Sequence, residues 1–168
     1  MNAERSAPAK TTAAVRILTG VIFLFFGEYK IADRAFAYGG FEGWIRGFLA
    51  QGMTVGFFKP VLVNVALVHP VFCARLVGWG ELAIGVSLVL GLFVRAAAIG
   101  GAVEMILLAL ATWFGPGHGA PLWRYFGANL DHIPLLFLFA IFYATQAGNV
   151  WGLDGVGRTR FANRRASS

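Results

Sequence analysis

The chain has 168 residues, of which 58% are hydrophobic, 15% aromatic and only 13% charged, with a formal net charge of +6. Soluble domains carry about 25% charged residues, so this composition excludes an ordinary soluble domain, and the length leaves room for one domain and no second. The positive charge is not a nucleic-acid footprint, because Arg5, Lys10 and Arg16 flank the first apolar run and Arg158, Arg160, Arg164 and Arg165 form a basic tail, which are ordinary topology signals.

Residues 1–12 read as a short disordered head on the cytoplasmic side. The run 13–31 is close to the roughly 20 residues a membrane-crossing helix needs. No small-residue cleavage pattern follows it, so it reads as a retained first span rather than a signal peptide. Residues 32–56 are mixed in character. From Phe41, the apolar residues Trp44, Ile45, Phe48 and Leu49 recur at helical spacing, which predicts a short amphipathic helix lying in the membrane interface. In 57–72, Pro60 and Pro70 bracket only nine residues, too few to cross. That piece reads as a rim helix or a re-entrant segment, with a fifth span through 57–77 as the alternative. Cys73, the only cysteine, excludes an internal disulfide and a thiolate metal site.

The second and third spans are predicted at 75–93 and 96–114, joined as an antiparallel hairpin through Val94 and Arg95. Arg95 at that turn reads as a topology anchor. Residues 115–123 form a Gly- and Pro-rich loop. The last span is predicted at 129–147. Asp131 would cap its first turn, where Pro134 is tolerated, and Gly148 would end it. The fold class is therefore all-α: an integral-membrane four-helix bundle over residues 13–154, with an amphipathic or re-entrant outer segment between helices 1 and 2 and a basic cytoplasmic tail at 155–168. Four spans put both termini on one side, and the distribution of Lys and Arg makes that side cytoplasmic, in a cell (inner or plasma) membrane.

Two carboxylates fall inside the apolar runs. Glu104 follows Gly100 and Gly101 at i−4 and i−3, and Glu81 has Gly78 and Gly85 at i−3 and i+4. Small residues mark the faces where membrane helices meet, so both glutamates should point into the bundle. An intramembrane carboxylate is costly, about 3 kcal/mol on insertion scales, and needs a partner or a proton. Glu28 and Lys30 at the end of the first span, and Asn129, Asp131 and His132 at the start of the last, share the outer half with Glu81, a turn or two into the second span, and Glu104 lies beneath them near mid-membrane. These seven residues are the expected polar pocket, suited to a small polar ligand, a quinone headgroup or a proton path. The blander reading is a structural polar network, with Lys30 snorkelling and Asp131 only capping. No metal site is expected: His132 is the only histidine well inside a span, and HExxH and Walker patterns are absent.

The stretches RILTGVIFLFFGEYKI, GWGELAIGVSLVLGLFVRAAA and NLDHIPLLFLFAIFYATQAGNVWGLD together resemble the DoxX/DoxD family of small membrane proteins. Gly80-Glu81-Leu82 and Leu90-Gly91-Leu92-Phe93-Val94-Arg95 carry the resemblance most specifically. It implies a four-helix membrane bundle and, for some members, quinone-coupled oxidation or membrane-bound oxidoreductase assemblies. It brings no catalytic residues to this chain. The expected function is then the membrane subunit of a quinone-linked redox system, working with a separate oxidoreductase subunit, with quinone as a non-covalent cofactor and a homodimer as one assembly. A proton or small-solute carrier and a non-catalytic anchor or assembly factor are the alternatives.

Overall fold

The computed structural model describes residues 2–128 and 132–156, and these are helical, without a strand. Helix α1 is Asn2–Ala32, α2 is Phe41–Ala50, α3 is the short apolar helix Gly56–Ala66, α4 is Pro70–Leu90, α5 is Val94–Thr112, α6 is Leu122–Ala128 and α7 is His132–Thr145. Three of them, α1 (from Ala7), α4 and α5, are long and apolar enough to cross a membrane. The last apolar helix, α7, has 14 residues, fewer than the span expected at 129–147.

Helix α1 continues back through the segment read as a disordered head. Alanines favour helix there, and the hydroxyls of Thr11 and Thr12 donate to the carbonyls of Ala7 and Pro8 one turn back. Helix α4 begins at Pro70, where proline needs no N–H partner, and stops at Gly91, which is left-handed at φ +64°. The link to α5 is therefore Gly91, Leu92 and Phe93, not Val94 and Arg95, and Arg95 lies in the first turn of α5. Apolar composition runs unbroken through this turn, so hydropathy could not mark it. Likewise α7 ends at Gln146, left-handed at φ +50°, rather than at Gly148.

Helices α1 and α4 pack antiparallel and very closely. A Cβ on Gly27 would lie 2.6 Å from the Leu82 amide nitrogen, one on Gly85 2.8 Å from the Leu24 nitrogen, and one on Gly20 2.9 Å from Leu88. Helix α5 packs on α7 at Gly101, whose added Cβ would lie 2.2 Å from Phe139 Cζ. Gly100, expected to share that role, only meets Ile84 at 3.7 Å. The core between these four helices holds Phe23, Leu88, Val94, Ala98, Phe139 and Phe142, each at most 2% exposed. Phe23 meets Phe139 edge-on at 5.3 Å, a favoured aromatic geometry.

The outer surface is the reverse of a soluble protein's. Leu18 and Phe25 of α1, Leu76 of α4, Ile99 of α5 and Phe137 of α7 all stand exposed. Apolar exposure on this scale marks a surface covered by lipid.

At one end, α2 and α3 close over the bundle through Ile45, Phe58, Leu62 and Ala66 against Ala111. The segment between them docks on the end of α5: the buried Thr54 hydroxyl donates to Ala111 O at 2.9 Å, and Val55 N–H to Leu110 O at 3.0 Å. The amphipathic α2 is as expected, with its Glu42 and Arg46 paired across one turn on the exposed face. The 56–66 segment is the short helix, and the fifth-span alternative fails because α4 starts only four residues after it.

Candidate functional site

Close packing of α1 on α4 sets up the polar centre. The Cβ that Gly78 lacks would sit 3.2 Å from Lys30 Cβ. The glycine therefore makes room for the lysine stem, and the ammonium reaches one turn further along α4. There Lys30 Nζ donates to Glu81 Oε1, with the two side chains only 10% and 5% exposed. The Phe36 ring covers the ammonium, 5.8 Å from ring centre to nitrogen, within cation–π range.

Glu104 approaches the same centre from α5, with its carboxyl within hydrogen-bonding reach of Glu81 and inside the field of Lys30. Its Oε1 and Glu81 Oε2 are both buried, and neither has a donor among the described residues. Glu81 stands three turns into α4 because that helix starts at Pro70. It is therefore level with Glu104 near mid-helix, not above it.

The pair opens on a cavity of about 510 Å3, within the roughly 300–1,000 Å3 of small-molecule sites. Its walls are Phe23, Phe26 and Tyr29 of α1, Trp44 and Phe48 of α2, Met105 and Leu108 of α5, and Leu135 of α7, with Lys30, Glu81, Thr112 and His132 as the polar side chains. Tyr29, Phe26 and Trp44 are each exposed, so the cavity is not enclosed.

Of the seven residues expected in a polar pocket, the structure brings together Lys30, Glu81, Glu104 and His132. Glu28 does not join them; it is exposed on α1. Two residues apart on a helix means about 200° of rotation, so the turn that aims Lys30 inward aims Glu28 outward. Asn129 and Asp131 lie outside the described residues. Among the glycines, Gly78, Gly85 and Gly101 pack as expected. Arg95 is exposed at the start of α5, with its guanidinium 4.4 Å over the Tyr143 ring.

A second polar centre, at the opposite end of the bundle, escaped the sequence reading. Arg16 is fully buried, not a flanking charge. Its Nη1 donates to Ala147 O at 2.8 Å and its Nη2 to Trp151 O at 2.9 Å, so a cation satisfies carbonyls freed where α7 ends. Asp154 accepts from the N–H groups of Phe93 at 2.9 Å and Val94 at 3.1 Å, capping α5 from sixty residues away in sequence. These are clamps. The available signal for Arg16 was its place between Ala13 and Gly20, on the face of α1 that carries small residues.

Among the described residues no three His, Cys, Asp or Glu side chains are grouped to hold a metal. Compared with known proteins, residues 11–114 match the DoxX family model, which spans α1 to α5 and stops before α6. No curated protein and no solved structure matches the chain.

Proposed function

The chain belongs to the DoxX family of membrane proteins, and from that premise we propose that it is the membrane subunit of a quinone-linked redox system in the cell membrane. The observation that carries this reading is the aromatic-walled cavity with an ionic pair at its inner wall. A quinone headgroup is flat and apolar, with carbonyl acceptors at its edges. Tyr29, Trp44 and Phe48 offer faces and edges for the ring, while Lys30, His132, the Tyr29 hydroxyl and the Trp44 indole N–H are among the lining groups able to donate to a carbonyl. When bound, a quinone supplies two-electron, two-proton chemistry that no side chain here can perform. The chain's own part is to hold the ring, exclude water around it with Phe23, Phe26 and Leu135, and keep a cation and two carboxyls beside it. A separate oxidoreductase subunit would carry the other redox centre.

The test is gentle purification followed by extraction, then titration with a water-soluble short-chain quinone read by tryptophan fluorescence. Saturable quenching that weakens at least tenfold when Leu135→Trp fills the cavity is the expected result. No retained quinone and no saturable quenching would overturn the proposal.

A proton or solute carrier is the second reading, and the mid-helix position of Glu81 and Glu104 favours it. It predicts proteoliposome flux that disappears in Glu104→Gln, and flux indifferent to that change removes it.

A further inference from the structure

We infer that Lys30, Glu81 and Glu104 form a proton-binding site in which the two carboxyls hold one proton between them against the lysine cation. Glu81 is 4% exposed, and one of its oxygens is taken by Lys30. Its other oxygen and the buried oxygen of Glu104 are both acceptors, and neither has a donor among the described residues. A carboxylate has no hydrogen to give, and buried polar atoms without partners are rare. One proton placed between the two carboxyls turns one of them into a donor and satisfies both oxygens at once.

The charge balance agrees. Two ionised carboxylates in contact repel strongly in a water-poor setting, and one cation offsets only one of them. With a single proton the triad is neutral, and without it the site carries an uncompensated buried negative charge. The other titratable groups facing the cavity are Tyr29 from α1 and His132 from α7, while α2 contributes only Trp44 and Phe48. The Glu42–Arg46 pair of α2 is exposed and Glu28 points away, so among the described residues His132 is the further group facing the cavity that can take up positive charge. Glu81 lines the cavity, so the proton is stored where a molecule entering from the bilayer would meet it. The site is made of the chain's own side chains and does not depend on the quinone reading.

Infrared difference spectroscopy of the full chain in lipid nanodiscs, without added quinone, tests this. At neutral pH the wild type should show a protonated-carboxyl C=O stretch that shifts down in D2O and moves again when glutamate carboxyls carry 13C. Glu81→Gln and Glu104→Gln should each abolish the band, because the remaining carboxylate then pairs with Lys30 alone. Lys30→Met should raise its amplitude about twofold, since both carboxyls must then be neutral. Glu28→Gln and Glu42→Gln should leave it unchanged. A wild type with no protonated-carboxyl band overturns the inference, as does a band unmoved by the glutamate label or one that survives in both Gln variants. Should a Gln variant not fold, the labelled wild type and Lys30→Met decide the matter.

Discussion

Arg16 is the charged side chain with the most to lose. Removing its guanidinium strands the carbonyls of Ala147 and Trp151, and each orphaned buried acceptor costs about 1–3 kcal/mol. Arg16→Met should therefore destabilise by about 2–5 kcal/mol, read as the melting shift in one detergent. Arg95→Met, which loses only an exposed cation–π contact, should cost about 0.5–1 kcal/mol; equal shifts would mean that the carbonyls find water instead. Lys30 and Glu81 give a second comparison. Removing Glu81 takes away the direct bond of Lys30 and leaves it only the field of Glu104; breaking a buried pair from one side typically costs about 3–5 kcal/mol, whereas replacing both partners by apolar groups is often nearly neutral. Glu81→Leu should thus lower stability clearly, and adding Lys30→Met should recover part of the loss in a double-mutant cycle. No recovery would mean that Lys30 does not depend on Glu81. This pair was legible in the sequence, because glycines at helical spacing mark the face a glutamate occupies and the lysine lies at matching depth. The clamp at Arg16 was not, because its acceptors are carbonyls released by a left-handed turn at Gln146. No residue pattern announces those carbonyls, and a buried arginine near a span end looks like a topology signal. Glu28 was misplaced because proximity in sequence to Lys30 is not proximity on a helix.

Helix pairing here rests on glycine. Lipid offers no hydrophobic drive for apolar helices to associate, so close packing must supply it. The two faces of α5 should therefore respond differently to added bulk. Gly101→Leu drives a side chain into the Phe139 ring and should cost more than Leu108→Ala, which only trims a half-buried side chain at the cavity wall. Gly100→Ala makes only an ordinary contact with Ile84 at 3.7 Å and removes a helix-weakening glycine, so it should be neutral or gain a few tenths of a kcal/mol up to about 1 kcal/mol. Melting and expression of the three variants rank them, and a Gly101→Leu protein as stable as the parent would remove α5–α7 packing at that point. The long helices and the amphipathic α2 could be read in advance from apolar runs and an i, i+3, i+4 stripe. Their ends could not. Hydropathy records which residues tolerate lipid, while helix ends are set by left-handed residues such as Gly91 and Gln146 and by distant caps such as Asp154. That is why the hairpin turn was placed two to three residues late and α4 was started late. The α1 glycines Gly20 and Gly27 were overlooked for a related reason: they become packing sites only once α4 is laid against them.

The whole molecule has two distinct ends, and its topology follows from what ties each together. At one end Arg16 of α1, the α4–α5 turn at Gly91, and residues 147–154 after α7 are joined by Arg16's bonds to Ala147 and Trp151 and by the Asp154 N–H bond to Gly91 O at 2.9 Å. At the other, the His118 ring meets Gly52 O at 3.0 Å, and Phe114 N–H donates to Met53 O at 2.8 Å. Helix α7 has only 14 residues, about 21 Å of helix against a hydrocarbon core of about 30 Å. Its length alone does not make it a crossing. Its contacts remove the doubt about direction: Phe139 packs on Gly101 and Gly148 on Val94, so the chain beyond α7 finishes level with the start of α5, at the end where α1 is clamped. With α7 taken as a fourth pass, the expectation is that the two chain ends share one side. The sign of that side is a matter of charge, and Arg95 and the basic residues of the head and tail favour the cytoplasm. Reporter fusions after Gly56 and Gly119 should read outside, and one after Ser168 inside. If the Gly119 and Ser168 reporters share a side, α7 does not complete a crossing, and the short helix would have to lie within one half of the bilayer. If all three are inverted together, the bundle stands as described and only the charge argument for its orientation fails.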